Sequence, residues 1–227
     1  MITLVAYRNR FVALLLLLLR NVSVSSFTSH TSQTLLQSFR SDRSRNCLQA
    51  LPDTLGGVVI TGGANGVGFA YASEFMDRGY DVVICDVKDC TAAASALTKR
   101  HPNGGKVYQI KCDVSNSADV EKLGQFAVEN LNRIGYWINN AGINGGRRDF
   151  RDVPISQVEA VVKVNLLGIL LCTKVAMSIM EQQEGFTGHI FNTVGSSVKG
   201  GGTPGYACYG ATKRGLPQLT ASLGKSQ

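Results

Sequence analysis

From Leu55 onward the chain alternates short runs rich in β-branched residues with longer runs of helical period. Gly57–Thr61, Asp81–Cys85, Val107–Lys111, Tyr136–Asn139 and His189–Asn192 read as strands; Gly66–Arg78, Ala92–Lys99, Ala118–Leu131 and Ile155–Glu181 read as helices. Strands that are apolar almost throughout, each followed by a helix, imply a parallel sheet covered on both faces. The expected fold is therefore α/β: a doubly wound sheet between two layers of helices. Ligands of such sheets bind beyond the carboxyl ends of the strands. All 25 glycines fall after Leu55, and they cluster at those ends, at 62–68, 142–146 and 195–205, where a ligand needs close backbone approach.

The first fifty residues have another pattern. Arg8 and Arg10 precede nine apolar residues, Phe11–Leu19, closed by Arg20. Nine is too few for a membrane span, which needs about 20, and fits the core of a secretory signal, with Ser25 and Ser26 as a cleavage region. Residues 21–44 then hold eight Ser, three Thr, two Arg and one acid, the composition of an organellar transit peptide. Signal then transit resembles the two-part presequence of algae whose plastid lies inside the secretory system, with Phe27 opening the transit part. Plain secretion and mitochondrial import are the alternatives. Residues 1–50 are thus expected to be a disordered targeting leader, and residues 51–227 the folded domain, without a spanning segment in the mature protein.

The charge divides in the same way. Of the net +7, residues 1–50 carry +5 and residues 51–227 only +2, which removes the case for a nucleic-acid partner. The six cysteines, Cys47, Cys85, Cys90, Cys112, Cys172 and Cys208, form no CxxC pair and no Cys/His cluster with metal-ligand spacing, so no metal is expected. Cys85 and Cys112 lie in apolar runs and read as small buried hydrophobes.

The first strand runs into Thr61-Gly62-Gly63-Ala64-Asn65-Gly66-Val67-Gly68 and then a helix. Gly62 permits a tight turn, Gly66 lets the backbone approach a pyrophosphate, and Gly68 lets the helix pack on the strand; the helix start supplies N–H donors. Between a strand and a helix this spacing marks a Rossmann-like dinucleotide site. Asp86, at the end of the second strand, can accept the ribose hydroxyls of NAD and would repel the 2′-phosphate of NADP, so NAD is favoured, with Lys88 partly offsetting the repulsion.

The glycine spacing led by Thr61, together with five further motifs in order along the chain, resembles the short-chain dehydrogenase/reductase family. The motifs are Thr61–Gly68; Asp113-Val114, where the family contacts adenine; Asn139-Asn140-Ala141-Gly142; Asn165; Ser196/Ser197; and Tyr209-x3-Lys213. The resemblance implies NAD or NADP as cofactor and hydride transfer between nicotinamide and a carbonyl or alcohol. A tyrosine with an ordinary pKa of about 10 is a poor acid near neutrality unless its phenolate is stabilised. Lys213, four residues after Tyr209 on one helical face, is expected to supply the cation that lowers it. By the resemblance, Tyr209 transfers the proton, Lys213 also holds the nicotinamide ribose, Ser196 (with Ser197 as substitute) bonds the substrate oxygen, and Asn165 anchors a water linking Lys213 to solvent.

Within the family, Gly188–Asn192, Trp137–Gly142, Val82–Cys85 and the run Tyr209–Thr220 look like the chlorophyll(ide) b reductases, which reduce a formyl group to hydroxymethyl. Those enzymes carry a Ser-Arg type NADP site where this chain has Asp86-Val87. The family also continues past the helix of Tyr209 into a sixth strand, a closing loop and a seventh strand, so the domain is expected to lack its last strands and its lid. A small-molecule carbonyl substrate, the pigment among the candidates, and self-association through the long helices are the expected partners. Arg147 and Arg148 could meet an acidic substrate group or be a solvated loop. A generic carbonyl reductase and a non-catalytic nucleotide-binding remnant are the rival readings.

Overall fold

The computed structural model describes residues 3–8, 56–185, 188–195 and 201–224, with backbone alone for residues 3–8. One sheet is formed by β1 (Thr3–Arg8), β2 (Gly57–Thr61), β3 (Val82–Asp86), β4 (Val107–Lys111), β5 (Ile134–Asn139) and β6 (His189–Val194), in the order β1-β6-β5-β2-β3-β4. Every pairing is parallel. The helices are α1 (Gly66–Asp77), α2 (Thr91–Arg100), α3 (Ser117–Asn130), α4 (Ile155–Val162), α5 (Gly168–Glu181) and α6 (Ala207–Gly224).

The continuous apolar strands are what hold this arrangement together. Val59, Val83, Cys85, Trp137 and Ile190 project to one face, where they pack with Val120, Leu123 and Ala127 of α3 and Cys172, Ala176 and Met180 of α5. Their neighbours Val58, Ile60, Val82, Ile84 and Ile138, almost without exposure, project to the other face. Burying one Val, Leu or Ile side chain contributes about 1.5–3 kcal/mol, so β2, β3 and β5 form the stable centre. The carboxyl ends of β2, β3 and β5 point one way, and the loops leaving them build one ligand-facing edge.

Two elements differ from the sequence expectation. The sequence pattern places Thr3–Arg8 in the leader, yet it runs parallel to β6, from Thr3 beside His189 to Arg8 beside Val194. The pairing supplies backbone partners to the outer edge of β6, and the short run Leu4-Val5-Ala6-Tyr7, overshadowed in the sequence by the longer apolar stretch after it, favours extended backbone. The remainder of the leader, including Phe11–Leu19 and Phe27, lies outside the described residues.

The second difference is in the long helix Ile155–Glu181. It is interrupted by a π-turn, Lys163–Leu167, where the Gly168 N–H reaches back to the Lys163 carbonyl. The cause is local. The Asn165 side chain is drawn to the backbone of Ile143, and Gly168 packs so closely on Val114 that a Cβ there would stand 2.8 Å from Val114 Cγ2. This stretch is also long and apolar enough to cross a membrane by composition, but α5 spends its apolar face on the sheet.

Candidate active site

A cleft of about 750 Å3 runs along the carboxyl ends of the strands, within the range of about 300–1,000 Å3 usual for ligand sites. Its walls bring together Gly62, Asn65, Val67, Asp86, Asp113, Val114, Asn140, Ala141, Gly142, Tyr209 and Lys213, all singled out in the sequence. Thr61, Gly68 and Asn165 are buried behind the wall, Gly66 is exposed on the turn beside it, and Ser196 and Ser197 lie outside the described residues.

The glycine-rich turn is shaped for close approach. Gly62 has φ +68°, and a Cβ there would stand 2.9 Å from Ala141 Cα. At Gly66, φ is +56° and nothing lies within 4 Å of a Cβ position, so the backbone faces open space. A Cβ at Gly68 would run into the Gly62 carbonyl, which is why the helix can lie on the strand only with glycine there. Asn65 precedes α1 in extended conformation and its side chain caps no helix N–H. First-turn donors are thereby left without a side-chain partner at the positive end of the helix dipole. These residues fit a pyrophosphate.

Two carboxylates organise the loops at this end. Asp86 Oδ2 accepts from the Ala64 N–H (3.3 Å) and Oδ1 from the Lys88 N–H (3.2 Å), so the carboxylate braces the glycine-rich turn and keeps lone pairs facing the cleft. Asp113 Oδ1 accepts from the Ser115 N–H and hydroxyl, while the Asp113 N–H donates to Asp119 Oδ2, which fixes the loop after β4.

Thr61 is a clamp rather than a wall residue. Buried at 1% exposure, its Oγ1 accepts from the Asn140 N–H (3.1 Å) and the Ala141 N–H (3.0 Å). Asn140 Nδ2 returns donations to the carbonyls of Thr61 and Gly62. The end of β2 is thus locked to the end of β5, which sets the relation of the glycine-rich turn to Ala141 and Gly142. Asn165 does the same on the other side: Oδ1 accepts from the Ile143 N–H (2.9 Å), and Nδ2 donates to the Ile143 carbonyl (2.8 Å) and Thr212 Oγ1 (3.3 Å).

Tyr209 and Lys213 lie one turn apart on α6. Lys213 is 2% exposed, and its Nζ donates to the Thr193 carbonyl at 2.8 Å. Desolvation lowers its pKa to about 8. Burial raises the Tyr209 phenol above its ordinary value, opposite to the lowering expected from the sequence. Desolvation is the cause acting on Tyr209, while the Lys213 ammonium is anchored on the Thr193 carbonyl. The end of β6 passes directly over the tyrosine: a Cβ at Gly195 would stand 2.9 Å from Tyr209 Oη.

The five described cysteines are free thiols. Contact with Cys112 and burial push the Cys85 thiol well above its ordinary value, as suits a core residue. Wall residues without a sequence signal of their own include Thr193, Thr203 and Tyr206. Thr193 comes after Asn192 inside a buried strand, and Thr203 and Tyr206 sit in a glycine-rich loop without periodicity; only their proximity to the Tyr209 motif could have marked them.

A parallel doubly wound sheet, a glycine-rich first turn and a Tyr-x3-Lys helix on one cleft define a nucleotide-dependent oxidoreductase architecture. The short-chain dehydrogenase model matches residues 57–226, and the chain belongs to that family. It is 39% identical over 168 residues to the chlorophyll(ide) b reductase NOL, chloroplastic, of Arabidopsis thaliana, covering 73% of this chain and 48% of that protein. It is also 39% identical over 184 residues to the probable chlorophyll(ide) b reductase NYC1, chloroplastic, of Arabidopsis thaliana, covering 74% of this chain and 37% of that protein. The chain therefore spans about a third to a half of the length of these relatives. Among solved structures, the NADH-dependent reductase A1-R′ complexed with NAD superposes with a TM-score of 0.69 at 26% identity, covering 77% of this chain and 74% of that one.

Proposed function

We propose that the chain is the hydride-transfer domain of an NAD(P)-dependent reductase whose substrate is the formyl group of chlorophyll(ide) b, acting in a plastid. The observation that carries the reaction is the placement of Tyr209 and Lys213 on the same cleft as the glycine-rich turn. The names of the relatives in Arabidopsis support the pigment, and their description as chloroplastic supports the compartment.

In this reading the bound nicotinamide supplies the hydride. The Tyr209 hydroxyl gives its proton to the carbonyl oxygen as the carbonyl carbon is reduced, leaving an alcohol, and solvent reprotonates the tyrosine. Lys213, with donors to spare beyond Thr193, bonds the ribose and stabilises the phenolate as it forms. Ser196 bonds the substrate oxygen, and Asn165 anchors the water that connects Lys213 to solvent. Gly62, Asn65, Gly66 and Val67 hold the pyrophosphate, Asp86 the adenosine ribose, and Asp113 and Val114 the adenine. Thr61, Gly68, Asn140, Ala141 and Gly142 shape the cleft between them. The repulsion between Asp86 and a 2′-phosphate favours NAD over NADP. Self-association through the long helices belongs to the same reading, and the 54% exposure of Val128 on α3 is what favours it.

The test is reduction of chlorophyllide b by the purified full chain with NADH or NADPH, monitored by the change in pigment absorption. Tyr209→Phe is expected to slow turnover by about 10²-fold or more while nucleotide binding persists. Undiminished turnover in that variant would refute the assignment of the proton donor.

A further inference from the structure

Arg147 and Arg148 lie on the loop that leaves β5, just past Gly142, Ile143 and Asn144 of the cleft wall. This loop is fastened to the segment before α6. The Arg148 N–H donates to the Gly205 carbonyl at 3.0 Å. The Arg147 side chain crosses Gly205, where a Cβ would stand 2.7 Å from its Cγ and 3.3 Å from its Nε. Gly205 has φ +78°, so both its conformation and the crossing suit glycine. Thr203 and Tyr206, on either side of Gly205, line the cleft. The Arg148 backbone and the Arg147 side chain are thus held against the segment whose Thr203 and Tyr206 line the cleft.

Their charges are not spent locally. Asp149, the adjacent carboxylate, is taken by Arg151 through two hydrogen bonds of 3.1 Å. Arg148 Nη1 reaches only the Asp152 backbone carbonyl, at 3.5 Å. Among the described residues, neither Arg147 nor Arg148 has a carboxylate partner. Adjacent like charges raise each other's energy, and an anion that pairs with both removes that repulsion. The same loop and the start of α4 also expose apolar side chains: Ile143 is 41% exposed, Phe150 58% and Ile155 79%. A rim that joins unpaired guanidinium groups to exposed apolar side chains suits a large apolar body carrying a carboxylate.

We infer that Arg147 and Arg148 bind the carboxylate of an apolar acid substrate, and that the cleft therefore selects the free acid over its ester. The inference rests on the proposed reaction, and it sharpens it. Of the two pigments covered by the relatives' names, the substrate is chlorophyllide b, whose propionate is free, rather than chlorophyll b, whose propionate is esterified.

The test compares chlorophyllide b with its methyl ester, which removes the charge with little added bulk. Equilibrium binding to the full chain with nucleotide present is read from pigment fluorescence, and turnover is read separately. The acid is expected to bind about tenfold more tightly than the ester, with the ratio falling toward one in Arg147→Gln/Arg148→Gln and in high salt. An equal affinity for acid and ester, or a preference for the acid unchanged in the double variant, overturns the inference even if both pigments are reduced. An arginine-dependent preference for the acid without turnover upholds the inference and sinks the proposed reaction. Binding of neither pigment sinks both.

Discussion

The Lys213 ammonium donates to the Thr193 carbonyl across 2.8 Å, joining α6 to the carboxyl end of β6. The bond places a long cationic side chain, 2% exposed, in the cleft wall. It explains why a residue expected to serve only chemistry is also a packing element, and it sets a stability cost that varies with pH.

Lys213 has a pKa of about 8 in the folded protein against an ordinary 10.5. Between those values the unfolded chain binds more protons, so this group's contribution rises as pH rises from 8 to 10.5, and below 8 the burial of charge costs in full. Wild type compared with Lys213→Met is expected to gain about 2–3 kcal/mol between pH 7 and pH 10. Chemical denaturation at the two pH values measures it; a difference that does not move with pH rejects the buried-cation account.

Asn165 satisfies both backbone groups of Ile143. Asn165→Ala should lower stability by about 2–4 kcal/mol, since the N–H and carbonyl lose their partners and the π-turn loses its cause. Asn165→Asp keeps the acceptor but faces a carbonyl with a carboxylate, so it should be more damaging at pH 8 than at pH 5. Thermal melting at the two pH values reads both effects, and an Asp variant equally stable at each would contradict this arrangement.

Thr61 holds two N–H groups of the loop after β5 through one oxygen. Thr61→Val preserves shape and removes the acceptor, with an expected loss of about 1–3 kcal/mol and weaker nucleotide binding. Thr61→Ser should retain both. Denaturation midpoints and nucleotide titrations decide it: a Val variant with wild-type values means the clamp is idle.

Asp86 braces Ala64 as well as facing the cleft. Asp86→Ser should reduce the preference for NADH over NADPH by about tenfold, because one negative charge near the 2′ position is removed. It should also loosen the glycine-rich turn, so binding of both nucleotides weakens somewhat. Nucleotide titration by fluorescence separates the two consequences; an unchanged NADH-to-NADPH ratio would exclude Asp86 as the discriminator.

The sequence carried the central strands, their parallel order and the glycine-rich turn, because these arise from local period and local backbone demands. Gly57–Thr61 and Val107–Lys111 occupy the residues read from the pattern, and the other boundaries shift by one or two residues. Tyr209 and Lys213 were legible as a pair because four residues on a helix bring two side chains to one face.

Pairings between distant residues were not legible in that way. Thr61 reaches Asn140 and Ala141, Asn165 reaches Ile143, Lys213 reaches Thr193, and Thr3–Arg8 lies along His189–Val194. Each depends on which hydrogen-bonding groups burial leaves without water once the sheet has formed, a demand made by the assembled fold. Residue type and spacing therefore specified an α/β nucleotide-binding sheet, while the roles of Thr61 and Asn165 as clamps, the anchoring of Lys213 and the recruitment of Thr3–Arg8 were settled by packing, where an unpaired buried polar group costs about 1–3 kcal/mol.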